Sequence, residues 1–160
     1  MTSMRAMVGT LREETPSALP YRTIGEVVAA LTDSFADPGM TVVCSVDAGL
    51  AHRAVPANTL VAVHHTIQEA LTNVMRHAAG ATRVEIGVRP LAGSVEITVT
   101  DDGGNAPAAS TAAGFGLRGL GERMETVGGS LAAGPGPHGG WRVTAALPLP
   151  SRSRLRSYVA

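Results

Sequence analysis

Aromatic side chains are scarce in this chain, only 3% of 160 residues, and cysteine occurs once, at Cys44. So few rings leave no platform on which successive nucleic-acid bases could stack. One cysteine excludes an internal disulfide and suits a reducing compartment. Cys44 lies in an apolar run, where a buried thiol is the expectation rather than a nucleophile. An excess of charge is missing too. Lys+Arg and Asp+Glu are 13 each, so there is no basic field to hold a polyanion. No apolar run approaches the roughly 20 residues that span a bilayer. The opening "MTSMRAMVGTLREE" lacks the apolar core of a secretory signal. These absences point to a soluble, cytoplasmic segment making no membrane contact and binding no nucleic acid.

What is present is one domain's length of aliphatic sequence, rich in Ala, Val, Leu and glycine. Residues 1–14 read as a short helical piece, and "TPSALPYR" breaks it with two prolines. A helix follows from Thr23, with Ile24, Val27, Val28, Leu31 and Phe35 on one face. "MTVVCSVD" reads as a strand. Pro56 and Asn58 open a long helix that ends near Gly80, placed to be its C′ residue. Val84, Ile86 and Val88 then alternate, as do Val95, Ile97 and Val99, which predicts a hairpin turning at "PLAG". "DDGGNAPAASTAAGFG" is all small residues, proline and acid, and reads as a mobile loop. A helix beginning at Leu117 should bury Leu120, Met124 and Val127 and stop at Gly128-Gly129. A glycine-turned hairpin comes after it, then the basic tail "SRSRLRSYVA", which reads as disordered. Strands gathered with helices on one side make an α+β two-layer sandwich with a mixed, mostly antiparallel sheet.

Chemistry concentrates in three places. The long helix carries "HHTIQEALTNVMRHA", in which His65, Glu69, Asn73 and His77 recur every four residues and share one stripe. A zinc site is excluded there. His65 and His77 stand roughly 18 Å apart along a helix, and no cysteine or aspartate cluster adds ligands. Second, "GFGLRG" (Gly114, Gly116, Gly119) matches the dinucleotide fingerprint in letters, but no strand precedes it and no acid follows about twenty residues on. As a glycine loop opening a helix it still suits an anion. Third, Asp101 and Asp102 end a strand before Gly103-Gly104. An isolated Asp-Gly is usually a polar turn; this one sits between an Asn-bearing helix and a glycine loop.

In that order, "QEALTNVMRHA", "DDGG" and "GFGLRGLGER" resemble the N box and the two glycine boxes of histidine-kinase ATP-binding domains. These belong to the GHKL (Bergerat) superfamily, and the pattern is most similar to the nitrate-sensor/desaturase-sensor class of two-component kinases. The resemblance runs from about residue 11 to residue 149. It implies a dimerisation-helix tail and linker over 1–20, an ATP-binding catalytic domain over 21–149 and a tail over 150–160. It also implies ATP and Mg²⁺, held by Asn73 through its amide oxygen, with Glu69 orienting the attacking group or reaching the metal through water. Arg76 and His77 would meet phosphate or ribose, with a solvated helix end as their bland alternative. Asp101 would accept the adenine amino proton, and Gly103 would let the backbone pass the base. Gly114, Gly116 and Leu117 would form the hinge and triphosphate wall of a lid over residues 105–113.

Two positions depart from the family pattern. Asn105 stands where Asp-x-Gly-x-Gly ends in glycine, and Trp141-Arg142 occupies the place where other classes set a threonine against adenine. None of the five histidines has the acidic neighbour of a phosphoacceptor. The resemblance therefore implies phosphoryl transfer to a histidine outside this chain, on a dimerisation domain, with a response regulator downstream. A serine kinase of anti-sigma factors and a non-catalytic interaction module are the competing readings.

Overall fold

The computed structural model describes residues 19–35, 37–104 and 111–150, the side chains of 111–115 excepted. The expected N-terminal helical piece, most of its linker, residues 105–110 of the lid and the basic tail lie outside these residues. The elements are α1 (Ile24–Ser34), β1 (Thr41–Val46), α2 (Ala48–Ala51), α3 (Ala57–His77), β2 (Arg83–Leu91), β3 (Ser94–Asp101), α4 (Thr111–Thr126), β4 (Ser130–Pro135) and β5 (Trp141–Pro148). The strands form one five-stranded sheet in the order β1-β2-β3-β5-β4. β1 runs parallel to β2 and every other pairing is antiparallel. This is the mixed α+β sandwich expected.

Alternation decides which face of the sheet is covered. Val84, Ile86 and Val88 of β2, Val95, Ile97 and Val99 of β3, and Val143, Ala145 and Leu147 of β5 are all buried. Against them pack Ile24 and Val27 of α1, Val63, Ile67 and Leu71 of α3, and Met124 of α4. Each such side chain contributes roughly 1.5–3 kcal/mol by leaving water. The intervening residues of β3, Glu96, Thr98 and Thr100, remain partly exposed on the other face. α3 lies between α1 and α4, across β3 and β5, so its flanks face neighbouring helices while its apolar face meets the sheet.

Local signals set the helix ends. A capping box starts α1: Thr23 Oγ1 accepts the Glu26 amide at 3.2 Å, and Glu26 Oε2 accepts the Thr23 amide at 3.1 Å. α4 stops in a Schellman turn, with Gly129 N–H on Met124 O and Gly128, at φ +73°, donating to Glu125 O.

Several expectations need correction. Cys44 is exposed rather than buried, because β1 is an edge strand with no fully buried residue. Its sulfur lies 3.1 Å from Thr32 Oγ1. β2 continues through Pro90 and Leu91, so the hairpin turns at Ala92-Gly93, where φ is +29° and +83°. Pro90 is accommodated because β1 ends opposite Val88, leaving β2 an edge strand beyond that point. α3 ends at His77 with Ala78 as its cap, which puts Gly80 one residue past C′. Leu19, assigned to the linker, packs against the core.

The largest correction concerns α4, which begins at Thr111 and not at Leu117. Small residues suggested a loop, but Thr111-Ala112-Ala113 contains no helix breaker and alanine is the best helix former. Residues 111–113 of the expected lid are therefore helical, and Gly114 and Gly116 lie within the first turns of α4 rather than in a loop hinge.

Candidate functional site

The stripe on α3 forms a wall at the edge of the covered face. Glu69 and His77 are half-buried, Asn73 is 9% exposed, and Arg76, one step round the helix, is exposed. Asn73 Nδ2 is shut off from solvent with no hydrogen-bond partner among the described residues. An orphaned buried donor costs about 1–3 kcal/mol, a penalty seldom carried without a function. Arg76 and His77 occupy the last turn of α3, where positive charge offsets the negative end of the helix dipole.

α4 closes one side of this wall. A methyl group placed on Gly116 would fall on the Glu69 carboxylate, with Glu69 Cδ 2.9 Å away. A side chain at this position would push the Glu69 carboxylate aside. Leu117 packs against the core.

The end of β3 closes the other side. Asp101 is buried, and its Oδ1 accepts the Gly103 amide at 2.9 Å. Gly103 sits against the cap of α3: a Cβ there would be 2.9 Å from Ala78 Cβ. The last turn also backs this corner, since a methyl group on Gly140, at φ +67°, would strike the Asp101 carbonyl oxygen. Trp141 follows, half-buried and packed on the core. Arg142 Nε donates to Thr100 Oγ1 at 3.1 Å.

Asp102 was not expected to contribute, yet it carries the most hydrogen bonds in this region. Its carboxylate accepts from the Thr82 amide, the Thr82 hydroxyl and the Arg83 amide, each at 2.8 Å. The Arg83 amide first, then the Thr82 hydroxyl and amide, hold this carboxyl below its ordinary range. A threonine just before a strand and an acid just after the next were the available signals for this link.

The expected residues thus fall into two groups. Glu69, Asn73 and His77 line one stripe of α3 with Gly116 against Glu69, and Gly103, bonded to Asp101, meets the end of α3 at Ala78. Arg76 lies on the outer surface of that turn. His64, which was given no chemistry, is half-buried with an unpartnered Nδ1 and meets the His65 ring edge-on at 5.8 Å. Burial, and then the neighbouring His65, keep His64 below its ordinary pKa. Among the described residues, no three His, Cys, Asp or Glu side chains gather to hold a metal ion. No helix among them is long and apolar enough to cross a membrane.

Comparison with known proteins shows the family and the fold. The family described as histidine kinase-, DNA gyrase B-, and HSP90-like ATPase matches residues 58–151. The sensor histidine kinase YxjM of Bacillus subtilis is 36% identical over 102 residues, which cover 64% of this chain and 24% of that protein. The signal transduction histidine-protein kinase/phosphatase UhpB of Salmonella typhimurium is 28% identical over 146 residues, 91% of this chain and 28% of that one. The chain spans about a quarter of the length of these curated relatives. The ATP binding domain of PrrB from Mycobacterium tuberculosis superposes with a TM-score of 0.62 at 22% identity, covering 84% of this chain and 99% of that one. At that identity the likeness is one of fold.

Proposed function

The chain belongs to the histidine kinase-, DNA gyrase B-, and HSP90-like ATPase family, and we propose that it is the ATP-binding catalytic domain of a two-component sensor histidine kinase. The observation that carries the reading is Asn73, a buried carboxamide with an orphaned donor on the wall shared with Glu69. One amide side chain offers an oxygen to a hard cation and an N–H to a phosphate oxygen, so the donor set fits Mg²⁺ together with a triphosphate. Asn73 would hold that ion, with Glu69 reaching it through water, and the ion would neutralise charge on the phosphates.

The base would sit at the Asp101 corner. Oδ1 is engaged by Gly103, and the carboxylate has acceptor capacity left for an adenine amino group. His77 and Arg76 would meet ribose or phosphate from the end of α3. Gly114 and Gly116, in the first turns of α4, would border the triphosphate. The transfer breaks the bond from the γ-phosphorus to the β,γ-bridging oxygen and forms one to an imidazole nitrogen of a dimerisation domain. ADP leaves and the imidazole proton is lost. Here this chain's residues position and screen charge; none becomes covalently attached.

The same reading makes residues 1–20 the exit of a dimerisation helix and its linker, 21–149 the catalytic unit and 150–160 a tail. The segment would be cytoplasmic, and a response regulator would receive the phosphate downstream. The test mixes this chain with the dimerisation domain of its own kinase and γ-labelled ATP. Label on a histidine that acid releases is the expected result. Acid-stable label on serine would replace this reading with the anti-sigma-factor kinase, and no label on any protein would favour the interaction module.

A further inference from the structure

The exit of β3, just past Asp101, is bound to a segment twenty residues earlier in the chain, and the binding runs through the exposed Asp102. Resting on the nucleotide reading of that pocket, we propose that Asp102 is the positioning residue of its base-binding corner. Its carboxylate fixes the segment between α3 and β2 to the exit of β3 and so sets where Asp101 and Gly103 present themselves to adenine.

The geometry is specific. Asp102 Oδ1 accepts two consecutive amides, Thr82 and Arg83, and Oδ2 accepts the Thr82 hydroxyl. Three charge-assisted bonds at 2.8 Å exceed what a polar turn ordinarily makes. Backbone bonds run beside them: Asp102 N–H to Arg83 O at 3.2 Å, and Gly104 N–H to Ala79 O at 3.0 Å. Between these ties Gly103 is pressed onto Ala78, with no room for a side chain. The end of α3, which bears His77, and the end of β3, which bears Asp101, therefore move as one piece. A shift at Asp102 reaches both neighbouring positions directly, since Asp101 precedes it and Gly103 follows it. An error of about 1 Å in such a placement is enough to cost affinity severely.

The proposal separates the corner from the rest of the pocket, and binding by the full chain tests it. Asp102→Ala should weaken Mg·ATP binding by about tenfold or more while inorganic tripolyphosphate, which lacks the base, binds as before. Asp102→Asn keeps an oxygen for the two amides and should restore affinity to within about threefold of the parent. Thr82→Ala removes only the hydroxyl and should fall between them. Hydrogen exchange should show the Thr82 and Arg83 amides losing protection in Asp102→Ala. Equal loss of ATP and tripolyphosphate binding would mark a general structural defect and overturn the proposal, as would unchanged ATP affinity in Asp102→Ala. A parent chain that binds no Mg·ATP would remove the nucleotide reading and this inference together. A binding parent with an indifferent Asp102 removes this inference alone. Should Asp102→Ala not fold, the same comparison of ATP with tripolyphosphate is made on Thr82→Ala, and equal affinities there overturn it.

Discussion

The two sides of the proposed nucleotide site, a base corner and a phosphate side, are built in opposite ways. At the base corner, Asp101, Asp102, Gly103 and Gly104 are tied by hydrogen bonds to each other and to residues 79–83. On the phosphate side, Asn73 keeps a buried donor without a partner, and Glu69 lies against a glycine rather than a donor side chain. One side is tied together by many bonds within the protein, and the other leaves a buried donor without one. A corner tied by several bonds can be rigid before binding, whereas an orphaned buried group raises the free energy of the empty state until a ligand satisfies it. Substitutions on the two sides should therefore separate stability from binding.

Asn73→Ala should give the largest functional loss, abolishing both magnesium-dependent ATP binding and transfer. Its stability should stay within about 1 kcal/mol of the parent, because the change removes an unsatisfied donor along with some packing. Thermal melting beside a nucleotide titration checks both halves. Asp101→Asn should come next. It retains an acceptor for Gly103 N–H but loses the charge, and ATP should bind about 10- to 100-fold more weakly. Retained autophosphorylation of an intact kinase bearing Asn73→Ala, or unchanged ATP affinity in Asp101→Asn, would contradict the assignment of these residues.

Gly116→Ala should leave stability within about 1 kcal/mol of the parent, because the added methyl meets only the far end of the Glu69 side chain and alanine favours the helix, but it must push that carboxylate aside. Its transfer rate should fall more than its affinity for adenosine, which the proposed base corner would hold. The smallest effect concerns acid. The Asp102 carboxyl has a lower pKa folded than unfolded, so its bonds stabilise fully above the unfolded value of about 3.9. That contribution disappears as pH falls through the folded value, which the Arg83 and Thr82 donors hold down. Asp102→Asn should flatten the acid limb of a stability profile below about pH 4, and a limb of unchanged slope would show that Asp102 is not its source.

Much of this was legible in the sequence, for identifiable reasons. Period-two alternation at 84–88 and 95–99 fixed the central hairpin, and period-four spacing put Glu69, Asn73 and His77 on one stripe. Both patterns reflect burial on a single face, which sequence records directly. What escaped notice depended on contacts between distant segments. Cys44 read as core because an apolar strand looks alike at a sheet's centre and its edge. The start of α4 was misplaced because small residues serve helix and loop equally well. Asp102 looked like turn chemistry, and nothing local announces a partner at Thr82. Gly116 was read as a phosphate-side glycine; that it faces Glu69 emerged only when two helices were brought together.

The contrast between the two sides is tested most directly by calorimetric titration of the parent chain and of Asn73→Ala, each with Mg·ATP and with adenosine. The parent should bind Mg·ATP at one site and more tightly than adenosine. In Asn73→Ala that advantage should vanish while adenosine binds as before. An Asn73→Ala chain that keeps the full margin for Mg·ATP would contradict a phosphate side completed by its ligand.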